Sequence, residues 1–168
     1  MHRTRRMAAQ RRATPIAMAI GEICSREVVF VARNESCAQA ARLMREHHVG
    51  SLVVVQQDGR RVPAGMITDR DLAVGVMALG LDPEQTIVEA VMRPEVVLVR
   101  ECEGIGRAIA LMRNRGVRRL PVVNEAGELV GILAADDLIE LFAEEMTGLA
   151  AMLATSPRHE REERRAAV

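Results

Sequence analysis

The chain is built twice. Glu27-Val28-Val29-Phe30-Val31 recurs 68 residues later as Glu95-Val96-Val97-Leu98-Val99. At the same offset Ala40-Ala41-Arg42-Leu43-Met44-Arg45 matches Ala108-Ile109-Ala110-Leu111-Met112-Arg113, and the run Val49–Val55 matches Val117–Val123. Gly59 matches Gly127 and, after a two-residue excess in the first copy, Gly65-Met66-Ile67 matches Gly131-Ile132-Leu133. Two copies of roughly 60 residues fill residues 16–148, the signature of a repeat architecture. A unit that small cannot bury both faces of a sheet alone. The copies are therefore expected to pack against each other about a pseudo-twofold axis, leaving clefts between them.

Each copy reads strand, helix, strand, turn, strand, helix. The short Val-rich runs are β-branched and bounded by turn residues, as buried strands are. Residues 37–47 and 105–115 place Ala, Leu and Met at i, i+3, i+4 and i+7, which predicts amphipathic helices. Gln57-Asp58-Gly59 and Glu125-Ala126-Gly127 predict hairpin turns. Thr68 to Leu79 predicts a helix closed by Gly80, with Asp82-Pro83 opening the linker to the second copy. By sequence the chain divides into a basic leader (1–14), a first repeat (15–80), a second repeat (81–148) and a helix extension with a charged tail (149–168).

Charge and composition narrow the function. The 168 residues hold 23 basic and 23 acidic side chains, and every basic one is Arg. Residues 1–12 carry five Arg and no acid, whereas residues 13–156 carry 14 Arg against 20 acids. A mildly acidic folded part gives no support to a nucleic-acid-binding core. Phe30 and Phe142 are the only aromatic residues, too few for base-stacking platforms. No apolar run is long enough to span a membrane, and no secretory signal opens the chain. Cys24, Cys37 and Cys102 stand at no metal-ligand spacing, so free thiols in a reducing cytoplasm are expected.

The β-α-β-β-α order, the strand Leu120-Pro121-Val122-Val123 and the segment Gly65-Met66-Ile67-Thr68-Asp69-Arg70-Asp71-Leu72 resemble a tandem pair of CBS domains, a Bateman module. The resemblance covers about 130 residues, in matching order and spacing. Thr68–Leu72 followed by Gly80-Leu81-Asp82-Pro83 is similar to bacterial stand-alone CBS-pair proteins without a catalytic domain. The resemblance implies an α+β or α/β fold, two β-α-β-β-α repeats packed with pseudo-twofold symmetry, plus an extended C-terminal helix. It also implies clefts that hold an adenosine-containing ligand: AMP, ADP, ATP or S-adenosylmethionine.

In that family a Gly-hydrophobic-hydrophobic-Ser/Thr-x-x-Asp motif supplies the ribose contacts. Here it is carried by Gly65 to Asp71, with Thr68 and Asp71 as ribose ligands. A carboxylate accepting from two ribose hydroxyls forms the stronger, charge-assisted kind of bond. The same two residues also fit a capping box, a hydroxyl at the helix start and a carboxylate three positions on. Both roles can coexist, because capping uses backbone amides and leaves carboxylate lone pairs free. The second copy keeps the acid, Asp137, but has Ala134 in place of the hydroxyl, a loss of about 1 kcal/mol. Phosphate should avoid the helix starts crowded by Asp69, Asp71, Asp136 and Asp137 and seek Arg instead. The resemblance points to Arg119, with Arg118 beside it and Arg70 as a further candidate. Gly50 and Ser51 stand at the corresponding first-copy positions.

These readings predict unequal clefts. Nucleotides should prefer the Asp137 cleft, through Arg119, and uncharged adenosine the Asp71 cleft, provided no other Arg reaches the first motif. His47 and His48 are adjacent and point to different helix faces, so no metal site is expected. The ten Met residues sit mainly at core helical positions. No nucleophile triad, paired-carboxylate arrangement or Gly-rich phosphate loop argues for an enzyme. Leu138, Leu141, Phe142, Met146, Leu149, Met152 and Leu153 form one apolar helix face reaching Thr155, about two turns beyond what the second copy needs. That surplus, with the resemblance, predicts a homodimer. The leader reads as disordered, with Met7 or Met18 as possible true starts. The functional expectation is a cytoplasmic, non-catalytic regulatory module acting on an unnamed protein. The alternative is an interaction module with physiologically empty clefts.

Overall fold

The computed structural model describes residues 18–56 and 59–166, with side chains as far as Leu153. The leader 1–14, Met7 and the turn residues Gln57 and Asp58 lie outside the described residues. In chain order the elements are α1 (Ile20–Ile23), β1 (Phe30–Ala32), α2 (Cys37–Glu46), β2 (Ser51–Val55), β3 (Pro63–Thr68) and α3 (Asp69–Leu72). There follow β4 (Val99–Arg100), α4 (Ile105–Arg115), β5 (Arg119–Val123), β6 (Leu129–Ala134) and α5 (Ala135–Ala166). The helix expected over residues 68–79 is present, but α3 widens into a π-helical stretch at Ala73–Met77 and closes at Gly80, whose φ is +66°. Left-handed backbone of that kind favours glycine.

The two copies form equivalent three-stranded sheets. In each, the first strand runs parallel to the second and the third antiparallel to it: β1-β2-β3 and β4-β5-β6. Register repeats at the 68-residue offset. Val31 faces Val54 and Val99 faces Val122, and a bulge falls at Val54/Val55 and again at Val122/Val123. The uninterrupted apolar run of β2 follows from burial on both faces. Leu52 and Val54 face the first core, while Val53 and Val55 meet Leu129 in a layer between the repeats. Val28, Phe30, Met66 and Ile132 close that layer. Arg61 sits over the Phe30 ring at 4.7 Å, and its carbonyl accepts the Leu129 N–H at 2.7 Å.

The cores interleave across the limits read from the sequence. Ile20 and Cys24, ahead of β1, belong to the second core with Ile105, Leu120 and Leu133. Val88, Val91 and Met92, ahead of β4, belong to the first with Leu52 and Ile67. Each arm also adds one backbone bridge to the third strand of the unit it joins. Ser25 exchanges two bonds with Ile132, both 2.9 Å, and Arg93 exchanges two with Met66, at 2.9 and 3.1 Å. The crossing is tight where the third strand carries glycine. A Cβ at Gly65 would lie 2.5 Å from the Arg93 carbonyl oxygen, and one at Gly131 would lie 2.6 Å from the Cys24 sulfur.

The C-terminal helix runs farther than the expected end at Thr155. α5 continues as one helix to Ala166. His47 and His48 end α2: His47 is its C-cap, and His48 holds φ +53°, where the second copy has Gly116 at +63°.

Candidate functional site

Thr68 is the N-cap of α3. Its hydroxyl accepts the Asp71 N–H at 3.1 Å, and Asp71 Oδ2 accepts both the Thr68 N–H at 3.0 Å and the Thr68 hydroxyl at 2.6 Å. The capping box is therefore complete. The other carboxylate oxygen is held from outside the repeat: Arg93 donates from Nε and Nη2 to Asp71 Oδ1 at 3.2 and 3.1 Å. Asp71 is 12% exposed and Arg93 66% exposed, so the pair stands with its cation at the surface.

Burial alone would raise the Asp71 carboxyl, but the hydroxyl and amide of Thr68 and the Arg93 guanidinium outweigh it and hold the carboxyl below its ordinary value. A depressed folded-state value stabilises the fold above the unfolded carboxylate pKa of about 3.9. That contribution is lost as pH falls through the folded value. Asp71→Ala is thus expected to cost about 1–2 kcal/mol at pH 7. Thermal melts at pH 7, 4 and 2.5 should show the gap to wild type narrowing below about pH 4. A gap that stays constant to pH 2.5 contradicts the assignment.

The second motif is sparser. Asp137 Oδ2 accepts the Ala134 N–H at 2.8 Å, half of the same box, and Ala134 offers no hydroxyl. Ser25, the repeat equivalent of Arg93, brings no guanidinium there. Asp137 borders a cavity of about 350 Å³ lined by Cys24, Ser25, Glu140, Leu141 and Glu144. Of the expected phosphate ligands, Arg118 is engaged by Asp136 at 3.0 Å. Arg119 and Arg70 are exposed, and neither side chain has a hydrogen-bond or ion-pair partner among the described residues.

Two larger clefts stand at repeat-equivalent places and differ in size and charge. The one along Glu27–Phe30 encloses about 410 Å³ against Leu43 and His47. The one along Met92–Leu98 encloses about 1,090 Å³ against Leu111, Arg115 and Val117, and it starts at Arg93. The larger cleft thus has two guanidiniums, Arg93 and Arg115, and leads from the residue that grips Asp71. Arg93, paired with Asp71 and lining the larger cleft, is a candidate that the motif reading missed. The repeat alignment contained its signal, since Arg93 falls opposite Ser25 and directly before Pro94 at the start of the second copy. Among the described residues no group of three or more His, Cys, Asp or Glu side chains is placed to hold a metal ion.

Two reciprocal β-α-β-β-α units, each with an Asp bonded at the exit of its third strand, define a tandem paired module. The chain belongs to the CBS domain family, whose profile matches residues 20–77 and 88–144. It is 34% identical over 125 residues to the uncharacterised protein MK0525 of Methanopyrus kandleri, a match covering 74% of this chain and 63% of that protein. Hypoxic response protein 1 of Mycobacterium tuberculosis is 34% identical over 117 residues, 70% of this chain and 80% of its own. A crystal structure of that named protein with two coordinated zinc ions matches at TM-score 0.65 and 32% identity, covering 73% of this chain and 98% of that one. The CBS domain protein PAE2072 from Pyrobaculum aerophilum, complexed with AMP, matches at TM-score 0.65 and 25% identity, covering 72% of this chain and 90% of that one. Relatives also include a mitochondrial CBS protein of Arabidopsis thaliana, so the likeness does not mark this chain as bacterial. Among the described residues no helix is long and apolar enough to cross a membrane.

Proposed function

We propose that this CBS pair is a non-catalytic regulatory module that binds an adenosine nucleotide, with the cleft between Asp71 and Arg115 as its primary site. The observation that carries this is the Asp71–Arg93 ion pair, whose Arg93 also lines the 1,090 Å³ cleft. Asp71 Oδ1 accepts from the ribose hydroxyls. Arg93, displaced from that oxygen and two-thirds exposed, turns with Arg115 to the phosphate. Thr68 keeps the carboxylate ionised and aimed throughout. The ordering expected from sequence reverses, because the cation thought to be missing from the first motif arrives from the arm ahead of β4. The Asp137 cleft, with Arg119 and Arg118 nearby in sequence, is the secondary site.

The AMP-bound state of PAE2072 supports the ligand class. The free cysteines, with Cys24 and Cys37 buried and Cys102 exposed, fit a reducing cytoplasm. The module acts as a homodimer, and the exposed apolar residues of α5 favour that assembly.

Calorimetric titration of the full chain with AMP, ADP, ATP, S-adenosylmethionine and adenosine tests the reading. Arg93→Ala should weaken AMP about tenfold to a hundredfold and adenosine much less, since a charge-assisted contact contributes about 1.5–3 kcal/mol. Equal losses for AMP and adenosine would mean that Arg93 shapes the cleft without touching phosphate. No heat with any of the five ligands would leave the interaction-module reading in its place.

A further inference from the structure

The single apolar face expected for α5 divides in two. Leu138 is buried and Leu141 packs on the second core, so one face is spoken for within the chain. The other consists of Ile139, Phe142, Met146, Leu149 and Leu153, which are 36% to 68% exposed. Their spacing alternates between three and four residues, the seven-residue pattern by which one helix lies along another. Residues 139 to 153 give about 21 Å of such a seam at 1.5 Å per residue. Ala143 and Ala150 flank it and let a second helix approach closely.

Charge selects the occupant and its direction. Asp136, Asp137, Glu140, Glu144 and Glu145 crowd the start of α5, residues 146–157 carry no charge, and residues 158–165 include four Arg against three Glu. Among the described residues no Arg pairs with Glu140, Glu144 or Glu145. A parallel pair of these helices would set five carboxylates beside five others, and like charges at helix-pair distances repel. An antiparallel pair sets each acidic segment beside an uncharged one. We infer that a second copy of this chain covers the seam, α5 against α5, antiparallel, with the twofold axis near Met146. Ile139 of one copy then lies beside Leu153 of the other, a self-complementary contact of the kind a twofold interface requires.

This inference rests on the homodimer reading and specifies its interface. The test uses the full chain with Cys102→Ser, so that no exposed native thiol interferes. Light scattering at micromolar concentration should give twice the chain mass. Met146→Glu should weaken the dimer at least tenfold with an unchanged circular-dichroism spectrum, while Ile109→Glu, on exposed α4 surface, should leave it intact. A short bismaleimide should link Met146→Cys to itself, and Ile139→Cys to Leu153→Cys in a mixture, but not Ile139→Cys to itself. A monomeric parent removes the homodimer reading and this one with it. A dimer that survives Met146→Glu keeps the homodimer and overturns the seam. Self-linking of Ile139→Cys overturns the antiparallel arrangement.

Discussion

Asp71→Ala should lower AMP affinity by about a hundredfold, while Asp137→Ala should change it less than threefold. Asp71 offers both ribose hydroxyls an ionised acceptor, and each charge-assisted bond contributes about 1.5–3 kcal/mol before the costs of desolvation. The net loss is expected to be near 2.7 kcal/mol, the equivalent of two decades in Kd. Asp71→Asn separates binding from folding. It retains an acceptor for the Thr68 amide but loses the Arg93 ion pair, so it should melt between wild type and Asp71→Ala while AMP affinity still falls at least tenfold. Calorimetry on the three variants decides the ranking of the clefts. Loss of AMP binding in Asp137→Ala, with Asp71→Ala unaffected, would restore the order expected from sequence and place the primary site at Arg119.

The second large effect is on stability. Gly65→Val should destabilise the protein by about 3 kcal/mol and lower its melting temperature by about 10 °C. The new side chain would start 2.5 Å from the Arg93 carbonyl oxygen and 3.0 Å from the Met92 sulfur. Backbone cannot retreat as a flexible side chain can, so the arm must lift from β3. Lifting it breaks the two Arg93–Met66 bonds and the grip of Arg93 on Asp71. Gly131→Val should do comparable damage through Cys24 and Ser25. Gly106→Val is the control, because a Cβ there meets nothing within 4 Å and Val is a slightly better helix former than Gly, so no loss of stability is expected. Chemical denaturation of the three variants measures the differences. A Gly65→Val protein as stable as the control would mean that the arm does not pack against Gly65.

Much of this was legible in the chain. The 68-residue offset carried the element order, the equal registers and the paired helices, because each of those depends on local pattern and repeats with it. Thr68 and Asp71 were readable as both cap and ligand because the capping box is a four-residue affair. What stayed hidden depends on contacts far apart in sequence. Nothing local in Ile20–Ser25 says that it completes the second core rather than the first. The placement of Arg93 beside Asp71 follows from the same crossing, and the proposed ranking of the clefts rests on it. The end of α5 was misjudged because apolar periodicity stops near Leu153, whereas the backbone stays helical to Ala166. The π-helical stretch in the helix after β3 had no signature in residue type. Gly75, at its centre, passes the Val91 side chain, which a Cβ would meet at 2.7 Å.

The crossed arms bear on how such a chain could arise and how it can be cut. A lone repeat has an arm that its own sheet cannot receive and a glycine groove that its own arm cannot fill. It can close only by exchange with another chain, at a cost set by the concentration of that chain. Joining two repeats in tandem turns the exchange into an intramolecular event, with an effective concentration in the millimolar range. Dividing the gene at the linker near Asp82-Pro83 would strand residues 20–25 with the wrong half and residues 88–93 with the other. Two such fragments should remain poorly folded apart and recover structure when mixed, each lending the other its missing edge.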